Sequence, residues 1–312
     1  MENQEVLVSI KCAVYNHESY LRQCLDGFVM QKTNFRFEAI VHDDASTDGS
    51  AAIIREYAEK YPDIIKPIYE TENQYSKHDN SVDRIMGAAC KGKYIAICEG
   101  DDYWTDPLKL QKQVDMLNSD SSIMMVHTGF MTVNYLGETI SWPKYQHFQA
   151  ISRKEKGIVS LFDKNHIITL TTMFRREVMT SDLLDNAPYI YDYTYFFTAA
   201  LMGKIKYLPC ITGSYRKTPT GAMQSRADEV NRQLYEVYKY FVKCCLQNKP
   251  RLSCMERLEA GFFVLTNIIY NGDRETFRLL LSKRPAVMFV LPLSWMYAMA
   301  KKIKRQIKRS GK

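Results

Sequence analysis

Short apolar runs alternate with longer stretches of helical periodicity through the first 120 residues, and this alternation limits the chain to few folds. The apolar runs at 6–14, 37–42, 64–70 and 93–98 predict strands, and the amphipathic stretches between them predict helices. Units of strand, helix and strand build a parallel sheet covered by helices. The third strand is expected at a sheet edge, because Pro67 cannot donate a ladder hydrogen bond.

The pattern is looser beyond residue 120. Runs at 122–133, 167–176 and 204–216 are typical of strands, and a helix is predicted over 192–202. Residues 226–280 have helical periodicity and no cluster of side chains suited to catalysis. We therefore predict an α/β domain over 1–220 with halves at 1–120 and 121–220, a helical extension at 221–283 and a tail at 284–312.

The composition is that of a folded protein without a general nucleic-acid-binding surface. Of the 312 residues, 46% are hydrophobic and 25% are charged, which is enough for a full core. The net charge is +7, but ten of the 42 basic residues and none of the 35 acidic ones follow Glu275, so residues 1–275 carry −3. Because the basic excess belongs to the tail, we expect no nucleic-acid partner.

The cysteines and the N-terminal sequence indicate the cellular compartment of the protein. The eight cysteines include no CxxC pair and no zinc-like spacing, and Cys244 and Cys245 are adjacent. Such usage is typical of reduced thiols rather than of a disulfide framework. The N-terminal sequence passes directly into the first predicted strand and has no export-signal pattern. We therefore expect a cytoplasmic protein.

Two groups of carboxylates follow predicted strands. Asp43 and Asp44 end the second strand, and Glu99, Asp101 and Asp102 follow the fourth. Loops at the carboxyl ends of parallel strands meet where the strand order reverses. Two like charges about 4 Å apart repel by about 4 kcal/mol at an effective dielectric of about 20, so the group must be protonated, splayed into water or bridged by a cation. Mg²⁺ or Mn²⁺ with a bound diphosphate would supply such a bridge. Taken singly, each group also fits a solvated turn or a helix cap.

Three segments in sequence order carry a resemblance to a known family, namely VSIKCAVYNHESYLRQCLDGFVMQ, FEAIVHDDASTDGS and YIAICEGDDYWTDPLKLQKQ. The sequence resembles the family 2 glycosyltransferases, closely over residues 6–118 and more loosely over 122–216. The resemblance implies the GT-A fold, an α/β architecture in which helices flank a mixed sheet. It also implies a nucleotide-sugar donor, a divalent cation and inversion at the anomeric carbon.

The resemblance also implies a nucleotide-binding role for the loops after the first two strands. Asp44 corresponds to the family aspartate that forms a hydrogen bond with the nucleotide base. The loop from Ala13 through Tyr15 to Asn16 corresponds to the loop against which the base and the ribose lie. These four residues are the predicted nucleoside contacts.

The carboxylates after the fourth strand correspond to the DxD-type motif of the family. Asp102 matches the metal-binding end of the motif. Asp101 and Glu99 match its ribose and metal-shell positions, and Glu99 stands where the family more commonly has an aspartate. We therefore expect Asp102 and Glu99 at the metal and Asp101 at the donor.

An inverting transfer needs a general base on the acceptor side. Asp192 opens an apolar helix between tyrosines, and burial among these rings would raise its pKa. It also matches the base-bearing segment of the family, in which an acidic residue opens a helix that leads through a glycine to a strand and a Tyr-Arg pair. The alternative is that Asp192 stabilises a helix dipole. Asp185 and Asp163 are weaker candidates, and His166 is expected to be structural or to line the acceptor site.

The segment 214–226 resembles the mobile loop beyond the base, and Arg216 is predicted to approach the diphosphate or the acceptor. The family often has a histidine two residues after this arginine, where this sequence has Thr218. The tyrosines between residues 189 and 215 fit either an acceptor groove, by stacking on sugar rings, or the core.

The tail joins an apolar stretch to a basic one. Residues 286–300 would reach only about 22 Å as a helix, short of the roughly 30 Å hydrocarbon core, and Pro292 interrupts them. Seven basic residues follow within 301–312. This order favours an interfacial helix on an anionic membrane surface, at the cytosolic face of the inner membrane. The alternative is a helix packed on the protein itself.

These observations predict a metal-dependent inverting glycosyltransferase that builds a surface or envelope polysaccharide. Its donor would be a nucleotide-sugar such as a UDP-sugar, and its acceptor a glycan or a polyprenyl-linked saccharide. A catalytically silent member that binds nucleotide or glycan is the alternative from another class. A nucleotidyltransferase would carry a Gly- and Lys-rich loop after the first strand, and a dehydrogenase would carry GxGxxG there; the sequence has neither.

Overall fold

The computed structural model describes residues 5–141, 151–153, 155, 157–163, 165–218, 227–248, 250, 252–284 and 290–310. The chain forms two compact units. The first unit contains residues 1–155 and 166–233, and the second contains residues 156–165 and 234–312.

The described strands all belong to the first unit. They are β1 (Val6–Val14), β2 (Arg36–Asp43), β3 (Ile65–Tyr69), β4 (Tyr94–Ile97), β5 (Tyr103–Trp104), β6 (Ile123–Asn134), β7 (Thr172–Arg175) and β8 (Lys204–Lys217).

The described helices follow in chain order. They are α1 (Glu18–Val29), α2 (Ser50–Lys60), α3 (Ser81–Ala89), α4 (Lys109–Ser119), α5 (Ile158–Asp163), α6 (Arg176–Met179), α7 (Asp182–Asp185), α8 (Asp192–Met202), α9 (Ala227–Asn248), α10 (Cys254–Asn271), α11 (Arg274–Lys283) and α12 (Leu291–Ser310). Two short 3₁₀ turns lie at Tyr75–Lys77 and Thr169–Thr171.

The eight strands form one mixed sheet in the order β3-β2-β1-β4-β7-β6-β8-β5. Strands β1 to β4 are parallel, and the strand order reverses at β1, which lies between β2 and β4. The predicted α/β class and mixed sheet are confirmed. The strand with Pro67 lies at the sheet edge, as its missing N–H requires.

The sequence pattern did not reveal two features of the far half of the sheet. The run at 167–176 divides into the turn Thr169–Thr171 and the short strand β7, which is antiparallel to β4 and β6. The two-residue strand β5 pairs antiparallel with β8. A run of two residues has no hydrophobic periodicity, so the sequence pattern cannot predict a strand of this length.

One face of α1 packs under the segment that follows β4. Leu21, Cys24, Leu25 and Phe28 are each 0% exposed, as the helical spacing predicted. The ring of Phe28 meets Trp104 edge to face, with centroids 5.0 Å apart. The core therefore fixes β5 and the acidic residues that precede it, because burying such side chains contributes about 1.5–3 kcal/mol each.

The second unit consists of helices in the part of the chain that the structure describes. Ser253 and Glu256 form a reciprocal capping box at the start of α10. The Ser294 hydroxyl of α12 donates to the carbonyl of Phe262 in α10 at 3.2 Å, so these helices pack together. None of the described helices is both long enough and apolar enough to cross a membrane.

Candidate active site

The loops after β1, β2 and β4 meet at one edge of the sheet. The backbone N–H of Asp44 donates to the carbonyl of Val14 at 2.9 Å, and the N–H of Gly100 donates to the carbonyl of Ala13 at 3.1 Å. Both acidic segments are therefore attached to the end of the same strand. This is the position where open parallel sheets bind ligands.

Polar contacts fix the loop after β1. Asn16 and Ala45 both have left-handed backbones, with φ of 56° and 59°. The N–H of Asn16 donates to the Ser46 hydroxyl at 2.9 Å, and its side-chain oxygen accepts the N–H of Thr47 at 2.8 Å. Tyr15 is 47% exposed beside this loop. The predicted nucleoside loop therefore presents an exposed ring on a well-held backbone.

Asp44 is buried, and its carboxylate accepts two backbone hydrogen bonds. One oxygen accepts the N–H of Gln74 at 2.6 Å and the other that of Tyr75 at 3.0 Å. Oδ1 of the neighbouring Asp43 is buried and has no hydrogen-bond partner among the residues that the structure describes. Asp44 thus holds the segment that begins at Gln74, and its contact with a nucleotide base stays a prediction.

Glu99, Asp101 and Asp102 form the carboxylate turn, in which Asp102 is only 4% exposed. Burial, with the charges of Asp101 and Glu99, raises the pKa of Asp102 well above its usual range. Burial, with the charges of Asp101 and Asp192, raises the pKa of Glu99 to about 8. The carboxylate turn therefore holds more negative charge than its surroundings neutralise.

Arg216 of β8 clamps the carboxylate turn. Its backbone N–H donates to Oδ1 of Asp102 at 2.7 Å, and its Nε donates to the carbonyl of Asp101 at 2.9 Å. Its Nη2 donates to the side-chain oxygen of Gln23 at 2.6 Å, and its guanidinium lies 4.8 Å from the ring centroid of Tyr20. The side chain is 4% exposed. These contacts give Arg216 a role in shaping the turn, and its predicted contact with substrate remains untested.

Asp192 lies at the first position of α8, as the pattern predicted. Its Oδ1 accepts the N–H of Tyr193 at 2.6 Å, and its Oδ2 accepts the hydroxyl of Thr169 at 3.3 Å. The turn Thr169–Thr171 connects Asp192 to the segment after the carboxylate turn, because the residue after Thr169, Leu170, accepts the indole N–H of Trp104 at its carbonyl at 2.9 Å. Of the tyrosines that flank Asp192 in the sequence, Tyr195 is directed to Asp83, and its hydroxyl donates a hydrogen bond to Oδ1 of Asp83 at 2.8 Å.

Two residues near the carboxylates were not singled out from the sequence. Burial, with the charges of Asp102, Asp101, Glu99 and Asp192, raises the pKa of Tyr215 to about 12, and the next residue, Arg216, donates its N–H to Asp102. Burial lowers the pKa of His17, although Asp101 and Asp48 oppose this. A Cβ at Gly100 would lie 2.8 Å from Nδ1 of His17, so glycine is needed there. The sequence signal for these two residues was that Tyr215 directly precedes Arg216 and that His17 directly follows Asn16.

The carboxylate turn suits a small, hard cation that a substrate helps to bind. Among the described residues, no three His, Cys, Asp or Glu side chains are arranged to hold a metal ion by themselves. Mg²⁺ usually needs only one or two carboxylates when substrate phosphates supply the remaining oxygens. Burial and the repulsion between neighbouring carboxylates raise the pKa values of Glu99 and Asp102, and a bound cation would oppose both effects by favouring the ionised forms. Glu99 and Asp102 therefore fit the predicted cation.

Comparison with known proteins agrees with this geometry. The model of glycosyl transferase family 2 matches residues 9–183, more than half of the chain. The chain belongs to this family, so the family predicted from the three sequence segments is confirmed. An uncharacterized protein of Mycobacterium tuberculosis, Rv1520, is 37% identical over 219 residues, which are 70% of this chain and 61% of that protein. The minor teichoic acid biosynthesis protein GgaA of Bacillus subtilis is 26% identical over 217 residues, 67% of this chain and 46% of GgaA.

Solved structures share the fold. TarS of S. aureus, in complex with UDP, superposes with a TM-score of 0.61 at 16% identity, covering 98% of this chain and 92% of that chain. The mannosyltransferase PcManGT of Pyrobaculum calidifontis, in complex with GDP-Man and Mn²⁺, gives a TM-score of 0.57 at 17% identity, covering 96% and 88%. At such identities the likeness establishes the GT-A fold and leaves the ligands of this chain to be inferred.

Proposed function

We propose that the protein is an inverting glycosyltransferase that moves a sugar from a nucleotide-diphosphate donor to a hydroxyl of a glycan or lipid-linked saccharide. The observation that carries this proposal is that the carboxylate turn lies where the strand order reverses, and that hydrogen bonds through Thr169, Leu170 and Trp104 connect Asp192 to the residues after that turn. A UDP-sugar is the proposed donor. The UDP bound to TarS supports this choice, since the two chains share a fold.

The donor side consists of two loops. Asp44 and the loop Ala13–Asn16 would bind the base and ribose, and the exposed ring of Tyr15 offers a surface for stacking. Asp101 would contact the ribose. Asp102 and Glu99 would hold Mg²⁺ or Mn²⁺, which supplies positive charge where the leaving diphosphate develops negative charge.

Asp192 would act as the general base. In a single displacement, the acceptor oxygen forms a bond to the anomeric carbon while the bond from that carbon to the diphosphate oxygen breaks, so the configuration inverts. Asp192 takes the proton of the acceptor hydroxyl. Thr169 and the N–H of Tyr193 orient its carboxylate toward this task.

Nucleotide binding gives the direct test of this function. A thermal-shift panel of UDP, GDP and their sugars, with and without Mn²⁺, is expected to show one nucleotide that raises the unfolding midpoint, and to a greater extent with Mn²⁺. A ligand at 100 times its Kd adds about 2.7 kcal/mol to the stability of the folded state. A panel without any stabilising nucleotide, in protein that unfolds cooperatively, would refute the proposed donor site.

We also propose that α12 attaches the protein to an anionic membrane surface. Leu293, Trp295 and Met296 are 61%, 55% and 63% exposed, while Ala298 on the other face is buried. Lys301 and Lys302 follow, and the sequence continues with more basic residues. Exposed apolar side chains beside basic ones suit a surface of anionic lipid, where each basic group adds about 1 kcal/mol. Such attachment would bring the enzyme to a lipid-linked acceptor.

Vesicle binding tests this attachment. The variant with Trp295→Ser and Met296→Ser is expected to lose most of its co-sedimentation with vesicles that contain anionic phosphatidylglycerol, because about 1.5–3 kcal/mol of burial is lost per large side chain. Met255→Ser, at a 73% exposed methionine of α10, is the matched control and should bind normally. Equal sedimentation of both variants, or of the wild type with neutral and anionic vesicles, would contradict the proposal.

A further inference from the structure

A lysine is buried in the middle of the central strand β1. Lys11 is 1% exposed, and its ammonium donates to Oδ1 of Asp83 at 2.7 Å and to the hydroxyl of Tyr195 at 3.1 Å. The Tyr195 hydroxyl donates in turn to the same oxygen of Asp83 at 2.8 Å. The three side chains come from β1, α3 and α8, so this closed network joins three elements.

Lys11 and Tyr195 both keep their protons in this network. Burial lowers the pKa of Lys11, but Asp83 and Tyr195 outweigh this effect, so the net pKa is raised and the ammonium stays charged. Burial, with the charge of Asp83, raises the pKa of Tyr195, so its phenol keeps its proton. Burying an ion pair carries a desolvation cost that often exceeds its attraction, so stability alone is a weak reason for it.

The start of α3 contacts the chain on both sides of Asp192. The side-chain oxygen of Asn80, the residue before α3, accepts the N–H of Ile190 at 3.0 Å, two residues before Asp192. Asp83 accepts the hydroxyl of Tyr195, three residues after it. Asp192 thus lies between two attachments to one helix, and Lys11 ties that helix to the central strand of the sheet.

We propose that Lys11, Asn80, Asp83 and Tyr195 are positioning residues that hold the first turn of α8, and with it the carboxylate of Asp192, at a fixed place beside the carboxylate turn. The inference rests on the proposed role of Asp192 as base. A general base must stay within hydrogen-bond reach of the acceptor hydroxyl, and a displacement of about 1 Å can lower the rate by about 100-fold.

Tyr195→Phe tests the inference with little disturbance of the core. Its ring stacks on Phe174 with centroids 5.1 Å apart, and the Lys11–Asp83 pair persists without the hydroxyl. We expect kcat to fall about 10- to 100-fold, while KM for the donor and the affinity for UDP change less than about twofold. Tyr57→Phe is the matched control, because it removes a buried hydroxyl that donates to Asp26 at 2.6 Å elsewhere in the same unit. The control should keep the wild-type kcat.

Hydrogen exchange provides a readout that needs no substrate. The amides of residues 192–196 are expected to exchange faster in Tyr195→Phe than in the wild type or in Tyr57→Phe. Asn80→Gly removes the attachment at Ile190 and tolerates the left-handed backbone of this residue, with φ of 65°, so it should lower kcat in the same direction without straining the start of α3. It also serves as the test if Tyr195→Phe does not fold.

The outcomes separate this inference from the proposed function. If Asp192→Asn abolishes transfer while Tyr195→Phe and Asn80→Gly both keep the wild-type kcat and exchange rates, the positioning role is wrong. If Asp192→Asn itself leaves transfer intact, the assigned base is wrong and the inference falls with it. A loss of UDP affinity equal to the loss of kcat would indicate general damage to the fold and would also overturn the positioning role.

Discussion

Asp192→Asn is expected to lower the rate of sugar transfer about 10²- to 10⁴-fold while the affinity for the donor nucleotide changes less than about twofold. Asparagine has nearly the same shape: its oxygen can still accept the N–H of Tyr193, and its NH2 group can donate to the hydroxyl oxygen of Thr169, so α8 should begin unchanged. It cannot take a proton from the acceptor hydroxyl. Transfer rates under donor saturation, together with nucleotide titration by calorimetry, measure the two quantities separately.

Asp185→Asn is the control for this experiment. Asp185 lies at the end of the short helix α7, is exposed, and belongs to the same half of the first unit. The rate of this variant should equal that of the wild type. If both variants transfer sugar normally, Asp192 is only a helix-terminal aspartate that interacts with the dipole, the alternative that the sequence left open.

Asp102→Asn is expected to abolish the part of donor binding that depends on Mn²⁺ and to reduce turnover to background. The amide oxygen of asparagine can still accept the backbone N–H of Arg216, which Asp102 accepts at 2.7 Å. The substitution removes one of the buried charges that repel each other in the carboxylate turn, so the ligand-free protein should unfold at the same temperature or a higher one. Loss of binding together with retained stability would mark Asp102 as a cation ligand.

Asp115→Asn, at an exposed aspartate of α4, provides the comparison for Asp102→Asn. It removes the same charge from the first unit and should leave the Mn²⁺ dependence unchanged. Normal turnover by Asp102→Asn would remove the metal assignment, and a large drop in its unfolding temperature would show that the carboxylate serves the fold instead.

The parallel half of the sheet could be predicted from the sequence because its signals are local. Buried strands, amphipathic helices and Pro67 determine β1 to β4, and the carboxylates at their ends follow from that order. The clamp by Arg216 could not be predicted, since it joins residues 114 positions apart through the unrecognised strand β5. The sequence pattern included Arg216 and the turn but carried no information about their pairing.

The contacts of Lys11 could not be predicted from the sequence, for a different reason. A single lysine inside the run VLVSIKCAV left the strand prediction intact, because the seven apolar residues of the run supply the pattern. Its partners come from residues 83 and 195, so its function depends on tertiary contacts. A charged residue in a fully buried strand is a signal to look for a partner, but the sequence does not name that partner.

The left-handed residues around the site have a thermodynamic consequence. Asn16, Ala45, His78 and Asn80 hold positive φ angles. Asn16 and Ala45 lie in the two loops of the proposed nucleoside site, and His78 and Asn80 lie between the turn Tyr75–Lys77 and α3. The unfolded chain rarely visits these angles, least of all at Ala45, and each costs of order 1–3 kcal/mol in the native state. The free-energy cost of these backbone conformations is therefore included in folding. A nucleotide should bind to a preorganised surface whose backbone loses little further conformational entropy.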